Sequence, residues 1–205
     1  MSPTQTTTTA WFLNGNTGTQ TITSNGYIFA AALQKTANST ATTADAFTST
    51  SSWTQSAGSL KPGATFTVDT LTLNTTGQVD WTQNYIITGN TSPFVATAMV
   101  SGNVSNTATI SMTSASTKTF AGGNYQYSGL NQGGTGTLTV TGNNTFRGSV
   151  TNSVQPATIT FTSGTTQTVG DFALTGNVGN LITLNASTTS AYTITANVVK
   201  PMISS

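Results

Sequence analysis

The chain contains no cysteine, no histidine and no glutamate, and only 4% of its 205 residues are charged. An average soluble domain carries roughly 25%. Without cysteine there is neither a disulfide nor a thiolate nucleophile, and without histidine there is no imidazole base. Every side-chain carboxylate must be one of Asp45, Asp69, Asp80 or Asp171. Ca²⁺ takes about 6–8 oxygen ligands, usually with several carboxylates among them. No two of these Asp lie within four residues of each other, so no metal or other cofactor is expected. The cations Lys35, Lys61, Lys118, Arg147 and Lys200 are scattered, and the net charge is +1. Phosphate binding needs clustered Lys and Arg, so nucleic acid is not an expected partner. The longest nearly apolar stretch, 27–33, is far short of the ~18 residues that cross a membrane, so no membrane insertion is expected. The first residues, Met1-Ser2-Pro3-Thr4, do not begin a secretory signal peptide, which needs a basic start and then an apolar run.

What is abundant is hydroxyl and amide. Thr (49), Ser (22), Asn (18) and Gly (20) make up over half the chain. Leu, Ile, Val and Phe are just under a fifth of it. Disorder combines such a low apolar content with high net charge, and here the second condition fails. Nine Phe, five Tyr and three Trp supply material for a core. Thr is β-branched and favours strands, so a Thr-covered β surface follows.

The periodicity agrees. From about residue 61, short alternating segments recur, most of them apolar–Thr–apolar: Phe66–Val68, Leu71–Leu73, Ile110–Met112, Lys118–Phe120, Leu138–Val140, Ile159–Phe161, Ile182–Leu184 and Tyr192–Ile194. This period of two marks half-buried strands. Gly and Asn punctuate the gaps, as at Gly142-Asn143-Asn144, which reads as a turn. Leu138–Val140 returns as Ile159–Phe161 after 21 residues, and again as Ile182–Leu184 after 23. Three short strands per repeat of this length predict a β-helix coil, whose inner face is buried only by stacking on its neighbours. The segments 67–74 and 168–175 echo each other, and in both the apolar phase slips at the Asp. A one-residue slip exchanges strand faces, so Asp69 and Asp171 are read as corners.

The segment Gly134-Thr135-Gly136-Thr137-Leu138-Thr139-Val140-Thr141-Gly142-Asn143-Asn144-Thr145-Phe146 resembles the passenger-associated repeat of autotransporter β-helices. Residues 157–185 are similar to coils of β-helical appendage proteins of tailed phages and of secreted bacterial β-helices. The resemblance spans about residues 130–197. It implies a β-helix, and a role in a tail fibre, spike or decoration subunit.

The expected fold is therefore all-β: a right-handed parallel β-helix with three short strands per coil over residues 61–205. Residues 1–60 are expected to be an irregular docking or capping segment, with 36–59 a loop and 27–33 a strand or one short helix. A Thr-rich β-sandwich or jelly roll is the alternative. The expected function is non-catalytic: a structural and adhesive virion component that assembles with itself as a trimer or filament and meets host glycans or other virion proteins. The expected location is the virion or an extracellular surface, since virions assemble in the cytoplasm and leave by lysis. A bacterial or archaeal surface adhesin or filament subunit is the second reading. A polysaccharide lyase or hydrolase is the third: glycoside hydrolysis uses two carboxylates about 5–9.5 Å apart, for which Asp69 with Asp80 is the available pair, and Asp171 with Arg147 is a further acid–base couple. Trp53, Trp81, Tyr85, Tyr125 and Tyr127 are the candidate glycan or subunit contacts. Asp69, Asp171, Asn143 and Asn144 are the candidate corner residues.

Overall fold

The computed structural model of the protein describes residues 10–199. Among them there are strands and no helix, wound into a β-solenoid whose nine stacked coils are related by about eight turns from first to last. The first three coils have three short strands each. These are β1 (Trp11–Leu13), β2 (Thr19–Ile22) and β3 (Ile28–Phe29), then β4 (Leu33–Lys35), β5 (Thr40–Thr43) and β6 (Phe47–Ser49), then β7 (Ser52–Gln55), β8 (Ser59–Pro62) and β9 (Phe66–Val68). In the next two coils the first two faces fuse into one long strand, giving β10 (Thr70–Trp81) with β11 (Tyr85–Ile87), and β12 (Thr91–Val104) with β13 (Thr109–Met112). The sixth coil again has three: β14 (Lys118–Ala121), β15 (Gln126–Tyr127) and β16 (Gly129–Gln132). In the last three coils the second and third faces fuse instead. These are β17 (Leu138–Thr141) with β18 (Thr145–Asn152), β19 (Ala157–Phe161) with β20 (Thr166–Ala173), and β21 (Ile182–Ala186) with β22 (Thr193–Val199).

Every ladder between these strands is parallel, which excludes the antiparallel sandwich and jelly roll. One inward rank runs the length of the molecule: Trp11, Leu33, Trp53, Leu71, Phe94, Phe120, Val140, Phe161, Ala186. Coils advance along it by 18 residues, from Trp53 to Leu71, up to 26, from Phe94 to Phe120. The 21-residue step from Leu138 to Ile159 is in register. The next step is not: Ile159 pairs with Leu184 rather than Ile182, two residues further on. A two-residue shift keeps the same side chains inward, so hydropathy alone does not detect it.

The core is a column of rings. Consecutive aromatic contacts lead from Trp11 through Phe29, Phe47, Phe66, Tyr85, Trp81 and Tyr127 to Phe146, with centroids 4.7–5.9 Å apart. Phe94 and Phe120 stack at 4.3 Å with their planes 10° apart. Such pairs add about 0.5–1.5 kcal/mol each beyond their area burial.

The expected irregular segment 1–60 is corrected over its described part, since residues 11–60 form the first two coils and run into the third, as far as β8, without a break. The stretch 36–59 is strand and corner rather than loop, and 27–33 holds β3 and the start of β4 rather than a helix. The reason lies in what points inward there. Ala41, Thr43, Ser49, Lys35 and Gln55 are all buried at inward positions. Burial alternates as in any half-buried strand, but hydropathy does not.

Candidate functional site

Trp53, Trp81, Tyr85 and Tyr127 are fully buried in the column, so these four are corrected from surface contacts to core. Large aromatics fill the coil interior because Ala and Thr cannot span it. The Tyr85 hydroxyl donates to the Asp80 carbonyl at 2.8 Å and the Tyr127 hydroxyl to the Gly122 carbonyl, so both phenols face corner carbonyls. Burial raises both phenol pKa values well above the ordinary value. Tyr125 lies just ahead of β15, outside the strand, and is half-buried, its hydroxyl donating to the Thr97 carbonyl at 3.3 Å.

The carboxylates serve separate positions. Asp45 accepts from the backbone N–H groups of Ser24 at 2.8 Å and Asn25 at 2.6 Å, tying the first coil to the second. The Ser24 bond leads in holding its carboxyl below the usual carboxylate range. Asp80 accepts from the Asn103 N–H at 2.9 Å, one coil on. Asp69 lies between β9 and β10, where it accepts from the Thr70 hydroxyl at 3.1 Å. Asp171 lies within β20 rather than between two strands, opposite Ser149 and beside the register shift of β18, so its reading as a corner is corrected to a position inside a fused strand. Among the described residues no group of three acidic, His or Cys side chains could hold a metal ion. At the Gly142 corner, Asn124 Oδ1 accepts from the Asn143 N–H at 2.5 Å and Asn143 Oδ1 from the Thr166 N–H at 2.8 Å, an amide ladder over three coils. Asn144 turns inward, donating to the Thr141 carbonyl at 2.9 Å and to Gln167 Oε1 at 3.0 Å.

The interior also holds polar side chains that hydropathy patterning does not pick out. Lys118 is fully buried on the rank of Leu138, Ile159 and Leu184. Its Nζ donates to the Ser114 and Gly136 carbonyls, each at 2.8 Å. Gln132 donates to the same Gly136 carbonyl at 2.5 Å. In the third coil Gln55 accepts from the Trp53 indole at 3.0 Å and donates to the Ala57 carbonyl at 2.8 Å. Lys35 donates to the Ala37 carbonyl. These side chains answer turn carbonyls that face inward away from water, where an unmet acceptor costs about 1–3 kcal/mol. The signal was present in Lys118-Thr119-Phe120, where a lysine occupies the apolar phase of a strand.

Burial lowers the Lys118 ammonium pKa to about 8. The folded chain therefore binds fewer protons than the unfolded chain between about pH 8 and the ordinary lysine value of 10.5. Stability should rise with pH across that window and be flat below it. The raised phenol pKa values of Tyr85 and Tyr127 act the opposite way above pH 10, so the lysine effect is read between pH 8 and 10. Urea midpoints of the wild type should climb over that interval, and those of Lys118→Met should climb less steeply, the remaining slope coming from Lys35, whose ammonium pKa burial also lowers. An identical slope in both proteins would refute this role for Lys118.

Outside, hydroxyls and amides form ranks. Thr119, Thr139, Thr160 and Asn185 are laddered neighbours on one face. Gln126, Thr145, Thr168 and Thr195 are laddered on another. On a third rank, Asn131 donates to the Ser111 hydroxyl at 3.3 Å and accepts from the Thr151 hydroxyl at 3.2 Å.

The ends differ from the sides. At the first coil a cavity of about 690 Å³ is lined by Trp11, Tyr27, Ile28, Phe29 and the turn 24–26. At the last coil Ile182, Leu184, Tyr192 and Ile194 pack on the core but are only partly covered. Comparison with family models, with curated proteins and with solved structures returned no match to this chain.

Proposed function

We propose that this chain is a non-catalytic structural and adhesive module of a tailed-phage virion appendage, of the tail-fibre, spike or decoration type. The observation that carries the reading is the set of outward ranks. They repeat hydroxyl and amide groups coil after coil, at the strand spacing of about 4.7–4.9 Å. Such a surface offers many equivalent donors and acceptors and little charge, which suits a repetitive neutral glycan. Contacts of this kind are not screened by salt, unlike contacts between charged partners.

The test is a panel of host-surface glycans and cell envelopes presented to the full chain at low and high salt. Binding that is unchanged by salt, with the glycan left at its original length, is the expected result. Failure to bind any member overturns the adhesive role, and a shortened glycan would transfer the chain to the lyase or hydrolase class. A lysine at Thr139 or Thr160, in the middle of one rank, should weaken binding at least tenfold while leaving the circular dichroism spectrum unchanged.

A further inference from the structure

We propose that the two ends of the solenoid bind each other, so that copies of this chain stack head to tail into an open filament. The proposal concerns the ends of the molecule and does not depend on glycan binding by its sides.

The first observation is where the apolar surface lies. The exposed large apolar side chains among the described residues are Trp11, Phe12, Tyr27, Ile28, Val100, Val178 and Leu181. The first four belong to the first coil, and Val178 and Leu181 lie on the approach to the last, 79% and 65% exposed. Only Val100 lies between the ends. Isolated exposed apolar residues are ordinary, but their concentration in two patches marks interaction surfaces.

The second observation is what the ends lack. Exposed strand edges are normally protected by lysine, proline or inward charge. Residues 10–31 and 174–199 contain no Lys, Arg, Asp, Glu or Pro, and the nearest of these types in sequence are Pro3 and Lys35 around the first stretch and Asp171 and Lys200-Pro201 around the second. Yet among the described residues β1, β2 and β3 at one end, and β21 and β22 at the other, each have a parallel neighbour on one edge only.

The third observation is geometric fit. Continuing the inward rank past Ala186 places Trp11 of a second copy against it, a small side chain meeting a large one. The two end coils differ in strand number, three against two, but the chain already joins such coils. Long β18 pairs with both short β15 and short β16. In the same way β22 can take β2 and β3 of the next copy while β21 takes β1. Because the two surfaces differ, the contact is heterologous; it does not close and propagates as a filament.

The experiment uses two variants of the full chain, Trp11→Lys and Ala186→Lys, which place a charge on opposite sides of the same contact. A charge buried there without a partner is strongly unfavourable. Wild type should form rods by electron microscopy, with a mass by light scattering that grows with concentration. Each variant alone should stay monomeric at concentrations where wild type is assembled. Mixed in equal amounts, they should form a one-to-one dimer, since each retains the end that the other lacks. If either variant assembles alone, or the mixture stays monomeric while wild type assembles, head-to-tail stacking is overturned. A monomeric wild type overturns it as well, and leaves the glycan result standing. Should Trp11→Lys misfold, Tyr27→Lys on the same rim replaces it.

Discussion

Replacing Phe120 with alanine is expected to destabilise the protein by about 3–5 kcal/mol, the range for removing a buried aromatic from a close-packed core. Phe120 lies in the sixth coil, where the column is densest in rings. It stacks on Phe94 at 4.3 Å, meets the edge of Tyr127 at 5.0 Å and touches Phe146 at 5.5 Å. Its neighbours are held by parallel ladders on both sides, so they cannot collapse into the space, and limited relaxation raises the cost. In a solenoid each coil is stabilised mainly by the coils it touches, so the loss should concentrate at the junction of coils five to seven. Urea denaturation followed by near-ultraviolet circular dichroism should show a lower midpoint, and amide exchange should rise first in β12, β14 and β17. Phe120→Leu, which keeps most of the volume but loses the three ring contacts, should cost less than the alanine variant. If the alanine variant unfolds at the wild-type midpoint, the ring column is not the stabilising core described above.

The second large effect is expected at Gly58, in the corner between β7 and β8. Its φ is +66°, and a Cβ there would lie 2.1 Å from the Ser39 carbonyl oxygen and 2.5 Å from that of Ala37. Those atoms are backbone of the preceding coil and cannot rotate aside. The same corner is tight on its other side, because a Cβ on Gly77 would meet the Gly58 carbonyl at 2.1 Å. The left-handed conformation costs an L residue roughly 1–2 kcal/mol, and forced overpacking typically adds about 1–3 kcal/mol. Gly58→Ala should therefore lose about 2–5 kcal/mol. Gly18 is the control, with φ +72° and nothing within 4 Å of its Cβ position. Gly18→Ala meets only the backbone strain and should lose about 1–2 kcal/mol. Equal midpoints for the two variants would show that coil-to-coil spacing at the Gly58 corner is not the constraint.

The parallel solenoid was legible from residue 61 onward because Leu138–Val140 and Ile159–Phe161 put apolar side chains at every second position. It was not legible before that. In Thr40–Thr43 and Ser52–Gln55 the buried positions hold Ala, Thr, Trp and Gln, and the period survives in burial but not in hydropathy. The corner reading of Asp69 came from a phase slip, and that residue does lie between two strands of different sheets. The aromatic contacts were misplaced because Trp and Tyr look the same in a sequence whether they fill a column or line a surface. Trp11 and Tyr27, which are exposed, carry no local pattern that separates them from Trp53 and Tyr85, which are not.

Composition and period by themselves determined that the chain is all-β, that its surface is hydroxyl and amide, and that thiol and imidazole chemistry are outside its reach. Those properties follow from residue types and from strand alternation, which are local. The tertiary structure decided how many coils there are, which strand pairs with which, and that Lys118 and Gln55 point inward to meet turn carbonyls. It also decided that the exposed apolar residues gather at the two ends. Each of these depends on which coil lies above and below, and a parallel ladder brings together residues 18 to 26 positions apart in a way no local pattern specifies.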